Sequence, residues 1–422
     1  MKVFKFGGVS IKEATAIGHV AEIIQQHLQE SPLVVVVSAM GKTTNALEAV
    51  LDSRLEGGEQ WRERLDSIEQ EHIDCARTLL QASPELDGLI ENLHATFDRT
   101  RDYLSHEKLP PYDYTYDQVV SCGELASSFL MAACLAQNHV QVLREDIRQL
   151  LITDHQWQKA RPNMRISRPK ILGRLEAWKK QQVVVLQGFL GGTPEGHTTT
   201  LGREGSDYTA ALLANVLEVA YMTVWKDVPG VLNADPKKVP EATLLPELSF
   251  EEAIEMTYMG ARVLHPQTIQ PLQEKGILLH VRSFIQPQSE GTIVGKTLER
   301  VTRPIIIIKE DQILVELTTR DLTFINERHL SHIFHEVAEA GLEVHLMQTS
   351  AVTFSMVVDR WPSKIKPLKE VLSAAFVYEE KAALRLITVR HSTPAMLEQL
   401  RGEHKVWFEQ SSDVTTKLLV LA

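Results

Sequence analysis

The sequence predicts an α/β protein: a mostly parallel sheet covered by helices, followed by ferredoxin-like modules. Three observations carry this. Short apolar runs recur at Leu33–Val37, Val183–Leu186, Ala220–Trp225 and Leu278–Val281, and continuous runs of that length mark strands buried on both faces. Glycine-containing segments such as KFGGVS, SAMGKTT and LGREGSD stand at strand-to-helix junctions, as alternating strand and helix units require. From about residue 305 the order becomes β-α-β-β-α, the opening of a split βαβ unit.

Taken in order, Val3–Phe6 reads as a strand, Ile11–Leu28 as an amphipathic helix and Leu33–Val37 as a buried strand. Residues 52–108 are charged and helical in period, a helical excursion from the sheet that the PPYDYTYD stretch (110–117) is expected to end. Helices are predicted over Asp207–Leu217 and Phe250–Met259, the second opened by a capping box of Ser249 and Glu252. One domain spans 1–297. The region 305–422 reads as a pair of small modules. The first is strand Ile313–Leu317, helix Arg328–Ala340, strands Leu342–Leu346 and Val352–Val358, and helix Lys364–Ser373. A shorter echo follows: strand Leu384–Val389, helix Ala395–Arg401, and strands near Val406 and Leu418.

Composition narrows the function. Of 422 residues, 44% are hydrophobic and 23% charged, an ordinary globular balance. The net charge of −11 argues against nucleic acid as a partner, so an anionic ligand needs a local cluster of lysine, arginine and backbone amides. The three cysteines form no CxxC pair, which fits a reduced setting. The N-terminus has no signal-peptide h-region and the apolar runs are strand-length, so a cytoplasmic protein without membrane contact is expected.

Four segments carry candidate chemistry. In KFGGVS, Gly7 and Gly8 end a strand before a helix, where backbone can approach phosphate, and Lys5 adds a compact positive charge. In VVVVSAMGKTTNAL the GKT triplet suggests a P-loop, but Val36 stands where the first glycine of that motif belongs, so no wide anion nest forms. Ser38, Thr43 and Thr44 remain polar groups at the C-terminal end of a strand, where open sheets bind ligands. In SCGELASS, Glu124 follows a glycine at what reads as a helix start, either a dipole partner or a seat for an ammonium group. In LGREGSDYTA, Ser206 or Asp207 can cap the next helix, whereas Arg203 offers a planar fork for a carboxylate. His329, His332 and His335 share a helical face without a carboxylate or cysteine to complete a metal set.

In order, KFGGVS, SAMGKTTN, DQVVSCGE, QGFLGG, TTLGREGSDYTA, KDVPGVLNADP, GARVLHP and VRSFIQPQSEGTIV resemble the aspartate kinases of the amino acid kinase superfamily, covering residues 1–297 almost continuously. MQTSAVTFSMVVD resembles the start of a pair of ACT regulatory modules, tandem or nested. The resemblance implies a three-layer αβα amino acid kinase fold and transfer of the ATP γ-phosphoryl group to the β-carboxylate of L-aspartate. That reaction is the entry to lysine, threonine and methionine synthesis. It implies ATP with Mg²⁺, the small-molecule partners aspartate and ATP, and a homodimer through the ACT-like modules. Lys5, Gly8 and Asp207 would be catalytic, and Ser38, Thr44, Glu124, Phe189, Arg203 and Ser206 would hold aspartate. Gly7, Gly8, Ser10, Lys226, Asp227, Leu232, Asp235, Lys237 and Arg262 would bind the nucleotide. No side chain stands out as a metal ligand.

Rivals can be separated on the residues. Acetylglutamate kinase and similar carboxylate kinases act on substrates without a free ammonium, which Glu124 beside Arg203 would suit poorly. A non-catalytic amino-acid sensor would not need Lys5, Arg203 and Asp207. Departures also matter. Lys226, Leu232 and Arg262 differ from the common family residues, and VHLMQTSA carries His345 and Ala351 where acidic residues are usual. A lysine effector site lacks its usual acidic partners here, which leaves effector binding and a purely structural or dimerising role for the modules as alternatives. Glu204 replaces a family glycine. It is expected to face solvent in an allowed conformation and to be neutral for catalysis, since a positive φ there would cost roughly 1 kcal/mol.

Overall fold

The computed structural model describes residues 1–28, 32–81, 83–261, 264–296 and 303–422. They form two compact units: Met1–Val231 with Leu244–Ile254 and Leu264–Glu299, and Leu232–Thr243 with Glu255–Val263 and Arg300–Ala422.

The strands of the first unit are β1 (Lys2–Phe6), β2 (Leu33–Val37), β3 (Val142–Arg144), β4 (Val183–Gln187), β5 (Leu190–Gly192), β6 (Thr198–Thr200), β7 (Tyr221–Lys226), β8 (Glu247–Ser249), β9 (Leu278–Ser283) and β10 (Thr292–Gly295). Among the described residues, eight form one sheet in the order β3-β4-β2-β1-β7-β9-β10-β8, while β5 and β6 make a separate hairpin. Every pair in the large sheet is parallel except β9–β10. β2 is buried at all five positions and pairs with β1 and β4 on its two edges. A Leu-Val-Val-Val-Val strand has no polar side chain to solvate, so only a central place suits it.

The helices are α1 (Ala14–Gln26), α2 (Thr43–Leu55), α3 (Trp61–Leu80), α4 (Glu85–Ser105), α5 (Tyr112–Gln137), α6 (Met164–Leu172), α7 (Leu175–Trp178), α8 (Gly205–Leu217), α9 (Phe250–Tyr258) and α10 (Pro266–Lys275). Leu65, Phe97 and Val120 share one core cluster with Phe4, Phe6 and Val35, so the helical excursion packs into the sheet's own core. Three expectations are corrected here. PPYDYTYD opens α5 instead of closing a helical region, because Pro110 and Pro111 cannot continue the preceding helix while the aromatic and acidic residues after them can start one. Glu124 consequently lies mid-helix, not in a first turn. α5 is long and apolar enough to cross a membrane by length and composition, and 78% of that window is buried inside the protein; the longest apolar element is thus a core helix, not a strand.

A buried carboxylate ties α5 to the hairpin. Asp117 accepts from the Thr200 N–H (3.0 Å), the Thr200 hydroxyl (2.6 Å) and the Gln158 N–H (3.1 Å). Burial lifts its carboxyl to about 6 against these bonds.

The second unit contains β11 (Ile305–Thr319), α11 (Glu327–Glu339), β12 (Val344–Thr349), β13 (Thr353–Asp359), α12 (Pro362–Leu372), β14 (Phe376–Arg390), α13 (Pro394–Glu403), β15 (Val406–Ser411) and β16 (Thr415–Leu421). Its six-stranded antiparallel sheet runs β12-β13-β11-β14-β16-β15. The two modules are nested in one sheet. β11 and β14 pair along their lengths with an irregularity between Lys309 and Gln312, near positive-φ residues Asp311 and Ala383. A 15-residue strand spans about 50 Å, so its two halves can serve two sheets of ordinary width. The later half of β11 with α11, β12, β13, α12 and the first half of β14 makes a βαββαβ unit. The remaining halves join α13, β15 and β16.

Candidate active site

β1 lies between β2 and β7, the place where connections leave the sheet in opposite directions, and ligands bind beyond the strand ends at such a point. Lys5 comes from β1 and Gly8 follows it. Ser38, Ala39, Gly41 and Thr44 follow β2, Phe189 follows β4, and Lys226 ends β7. With Glu124 of α5 and Gly202, Glu204, Gly205, Ser206 and Asp207 of the turn before and within α8, these residues line a cavity of about 350 Å³.

Close backbone approach builds this cavity. A Cβ on Gly8 would lie 2.7 Å from the Gly41 carbonyl oxygen and 2.8 Å from that of Ala39, so only glycine lets the loops after β1 and β2 meet. The Gly41 N–H donates to the Gly8 carbonyl at 3.0 Å. Ser10 is buried and commits both its hydroxyl (2.6 Å) and its N–H (3.0 Å) to the Gly7 carbonyl, closing the turn without facing the cavity. Gly188 is demanded in the same way: a Cβ there would sit 2.4 Å from the Ser206 Cβ. The Phe189 backbone is engaged on both sides, donating to the Thr209 hydroxyl (3.1 Å) and accepting from the Leu201 N–H (2.9 Å).

The charges are arranged in two sets. Lys5 Nζ lies 2.6 Å from Asp207 Oδ1, with side chains only 12% and 3% exposed, and Lys226 Nζ stands 3.8 Å from the other Asp207 oxygen. Burial alone would raise the Asp207 carboxyl, but the two lysines outweigh it and hold it below its ordinary range. Neither Ser206 nor Asp207 caps α8, contrary to expectation. The helix starts at Gly205, and Asp207 lies within its first turn, paired with Lys5 instead of with backbone. Glu124 is different. It is 3% exposed, its Oε1 accepts from the Ala39 N–H at 3.2 Å, and its Oε2 is buried without a partner. Desolvation pushes its carboxyl up to about 8, offset only in part by the Ala39 bond.

The conformation and orientation of Glu204 differ from the sequence expectation. It has φ 54° and ψ 27°, the left-handed region, and it lines the cavity with Oε2 buried and unpartnered. The turn around it is tightly packed. Gly205 is pressed against Phe189, a Cβ there lying 2.7 Å from the ring, and the Gly205 N–H closes onto the Gly202 carbonyl at 3.0 Å. Arg203, beside it, is exposed and outside the cavity lining.

Of the other expected residues, Asp227 is exposed and does not line the cavity. Leu232, Asp235 and Lys237 fall in the second compact unit, where the Asp235 carboxylate accepts from the Lys237 N–H at 2.9 Å. Arg262 lies outside the described residues. Ala39, Gly41, Gly202 and Gly205 line the cavity without having been assigned a role, although all four stand inside the segments SAMGKTT and LGREGSD. Among the described residues no group of three His, Cys, Asp or Glu could hold a metal ion, the histidines of α11 included.

A parallel sheet whose strand ends gather two lysines, a buried aspartate and two carboxylates, each with one buried oxygen lacking a partner, defines an α/β enzyme site for a ligand of mixed charge. The model of the amino acid kinase family matches residues 1–283. Lysine-sensitive aspartokinase 3 of Escherichia coli is 33% identical over 85% of this chain and 78% of its own length. The crystal structure of E. coli aspartokinase III in complex with lysine and aspartate superposes with a TM-score of 0.83 at 28% identity, covering 100% of this chain and 96% of that one. The aspartate and ADP complex of E. coli aspartokinase III gives 0.81 at 27% identity, with the same coverage. The chain therefore belongs to the amino acid kinase family, among its aspartokinases.

Proposed function

We propose that the protein is an aspartate kinase, transferring the γ-phosphoryl group of ATP to the β-carboxylate of L-aspartate. A β-carboxylate oxygen attacks the γ-phosphorus, the bond from that phosphorus to the β,γ-bridging oxygen breaks, and ADP leaves with the electron pair. The acceptor carboxylate is already ionised at neutral pH, so no general base is needed. What must be supplied is a way to bring anions together and to neutralise the equatorial oxygens during transfer.

The observation that carries this reading is one cavity lined by both an ion-paired Lys5 and the buried Glu124, whose Oε2 has no hydrogen-bond partner. Lys5 neutralises the transferring phosphoryl group, with the loop of Gly7 and Gly8 bringing backbone close. Asp207 holds Lys5 in place and Lys226 adds a second positive charge. Glu124 receives the substrate ammonium, and Ser38, Thr44, Ser206 and Phe189 shape the pocket around it. Arg203 is assigned the α-carboxylate from the exposed limb of its turn. Nucleotide roles for Ser10, Asp227, Leu232, Asp235, Lys237 and Arg262 rest on the family resemblance alone, and the hydrogen bonds of Ser10 and Asp235 give those two a structural task. Magnesium would supply charge neutralisation on the ATP phosphates. The described residues offer it no three-ligand group, so phosphate and water would hold it. Residues 1–297 are assigned to catalysis and 305–422 to ACT-like modules that form a homodimer.

The test is ATP-dependent formation of a hydroxylamine-trappable acyl phosphate. L-aspartate should give the product. Trapping with another carboxylate and none with aspartate would overturn the assignment.

A further inference from the structure

We infer that Glu204 is a second seat for the substrate ammonium and a determinant of selectivity for an α-amino acid; this rests on the kinase reading above. Three observations converge on it. Glu204 occupies a left-handed conformation that a glutamate adopts only at a cost. Its Oε2 is buried without a hydrogen-bond partner, which for a carboxylate is unfavourable unless a cation arrives. The side chain lines the same cavity as Lys5, Glu124, Asp207 and Lys226.

Elimination identifies the cation. The two lysines of the cavity stand on Asp207, at 2.6 and 3.8 Å, and Arg203 is exposed outside the lining. Among the described residues no side chain forms an ion pair with Glu204 and its Oε2 has no hydrogen-bond partner, so its cation is assigned to the ligand. Aspartate brings two carboxylates and one ammonium, and ATP brings only anionic groups to its reacting end. A divalent ion is the other cation available, but no three-ligand group surrounds Glu204 among the described residues, and magnesium stays with phosphates and water. The ammonium remains. Glu124 alone is a weak seat near neutrality, since burial lifts its carboxyl to about 8. A second carboxylate in the cavity restores attraction for the ammonium and repels any dicarboxylate that lacks one.

The experiment compares the wild-type protein with Glu204→Gln and Glu204→Gly. Glutamine keeps shape and backbone strain but removes charge; glycine also relieves the strain. The readouts are KM for L-aspartate, the inhibition constant of succinate against aspartate, and the magnesium dependence, with thermal melting to check folding. Loss of a charge-assisted contact predicts about a tenfold rise in aspartate KM in both variants. Succinate inhibition should stay equal or strengthen, and the magnesium requirement should not move. An aspartate KM that is unchanged or lower in both variants overturns the inference, because repulsion or neutrality would then describe Glu204. A raised magnesium requirement with unchanged aspartate KM overturns it in favour of a metal contact. Failure of the wild-type protein itself to turn over aspartate would instead sink the kinase assignment.

Discussion

Glu124 makes the most quantitative prediction. Its carboxyl sits near 8 in the folded protein, raised by burial from an ordinary value near 4.5. Only the ionised form can hold an ammonium group, so aspartate binding must first remove a proton. The affinity is weakened by a factor of 1 + 10^(8 − pH), about 11-fold at pH 7 and about 1.1-fold at pH 9. Aspartate KM should therefore fall roughly tenfold between those values while kcat changes little, and calorimetry in buffers of different ionisation enthalpy should show about 0.9 proton released per aspartate bound at pH 7. Glu124→Gln keeps an acceptor for the Ala39 N–H but carries no charge. It should bind aspartate more weakly at every pH and lose the pH dependence. Stability must move the opposite way. A carboxyl raised on folding contributes fully below its unfolded value and loses that contribution as pH rises through its folded value, so wild type should lose stability relative to Glu124→Gln between about pH 4.5 and pH 8. A flat KM profile from pH 6.5 to 9, or the same profile in both proteins, would refute the reasoning.

Three further outcomes are expected. Lys5→Met should lower kcat by about 10²–10³ and destabilise the fold by about 3 kcal/mol, because Asp207 would be left buried with only the more distant Lys226; a double variant with Asp207→Asn that recovers no thermal stability would contradict the pairing. Gly8→Ala would drive a Cβ against two backbone carbonyls, so a destabilisation of about 1–3 kcal/mol and loss of ATP-dependent turnover are expected, and a fully active, equally stable variant would show that the loops can part freely. Free lysine should not inhibit: His345, at a place where the family carries an acid, lies 3.1 Å from Lys309 and pairs with Asp359, while Lys417 donates to its carbonyl at 2.7 Å. Lysine inhibition in a titration of the initial rate would contradict this, since a cationic effector would then be tolerating positively charged neighbours.

Much of the molecule was legible from its letters. Val-rich runs have no stable place except the middle of a parallel sheet, so β2, β4, β7 and β9 and their order with helices followed from composition and period. Glycine beside charge at strand ends, with the family resemblance that assigned the roles, pointed to Lys5, Gly8, Ser38, Thr44, Glu124, Ser206 and Asp207, all of which line the cavity, and to Arg203, which does not. What letters could not carry was direction and burial. SCGELASS looks like a helix start in isolation, and only the packing of Gly123, whose Cβ would lie 2.8 Å from the Ala39 Cβ, shows that α5 runs straight past the loop after β2. That packing strips Glu124 of water and sets its proton affinity. In GREGSD the local sequence permits Glu204 to point outward. Its inward, left-handed state is held between two glycines packed against residues distant in the chain, Gly205 against Phe189 and Gly202 against Gln158. Residue type determined which chemistry this protein could hold; the close approach of separate loops decided which of its carboxylates lost their water, and so which of them wait for a cation.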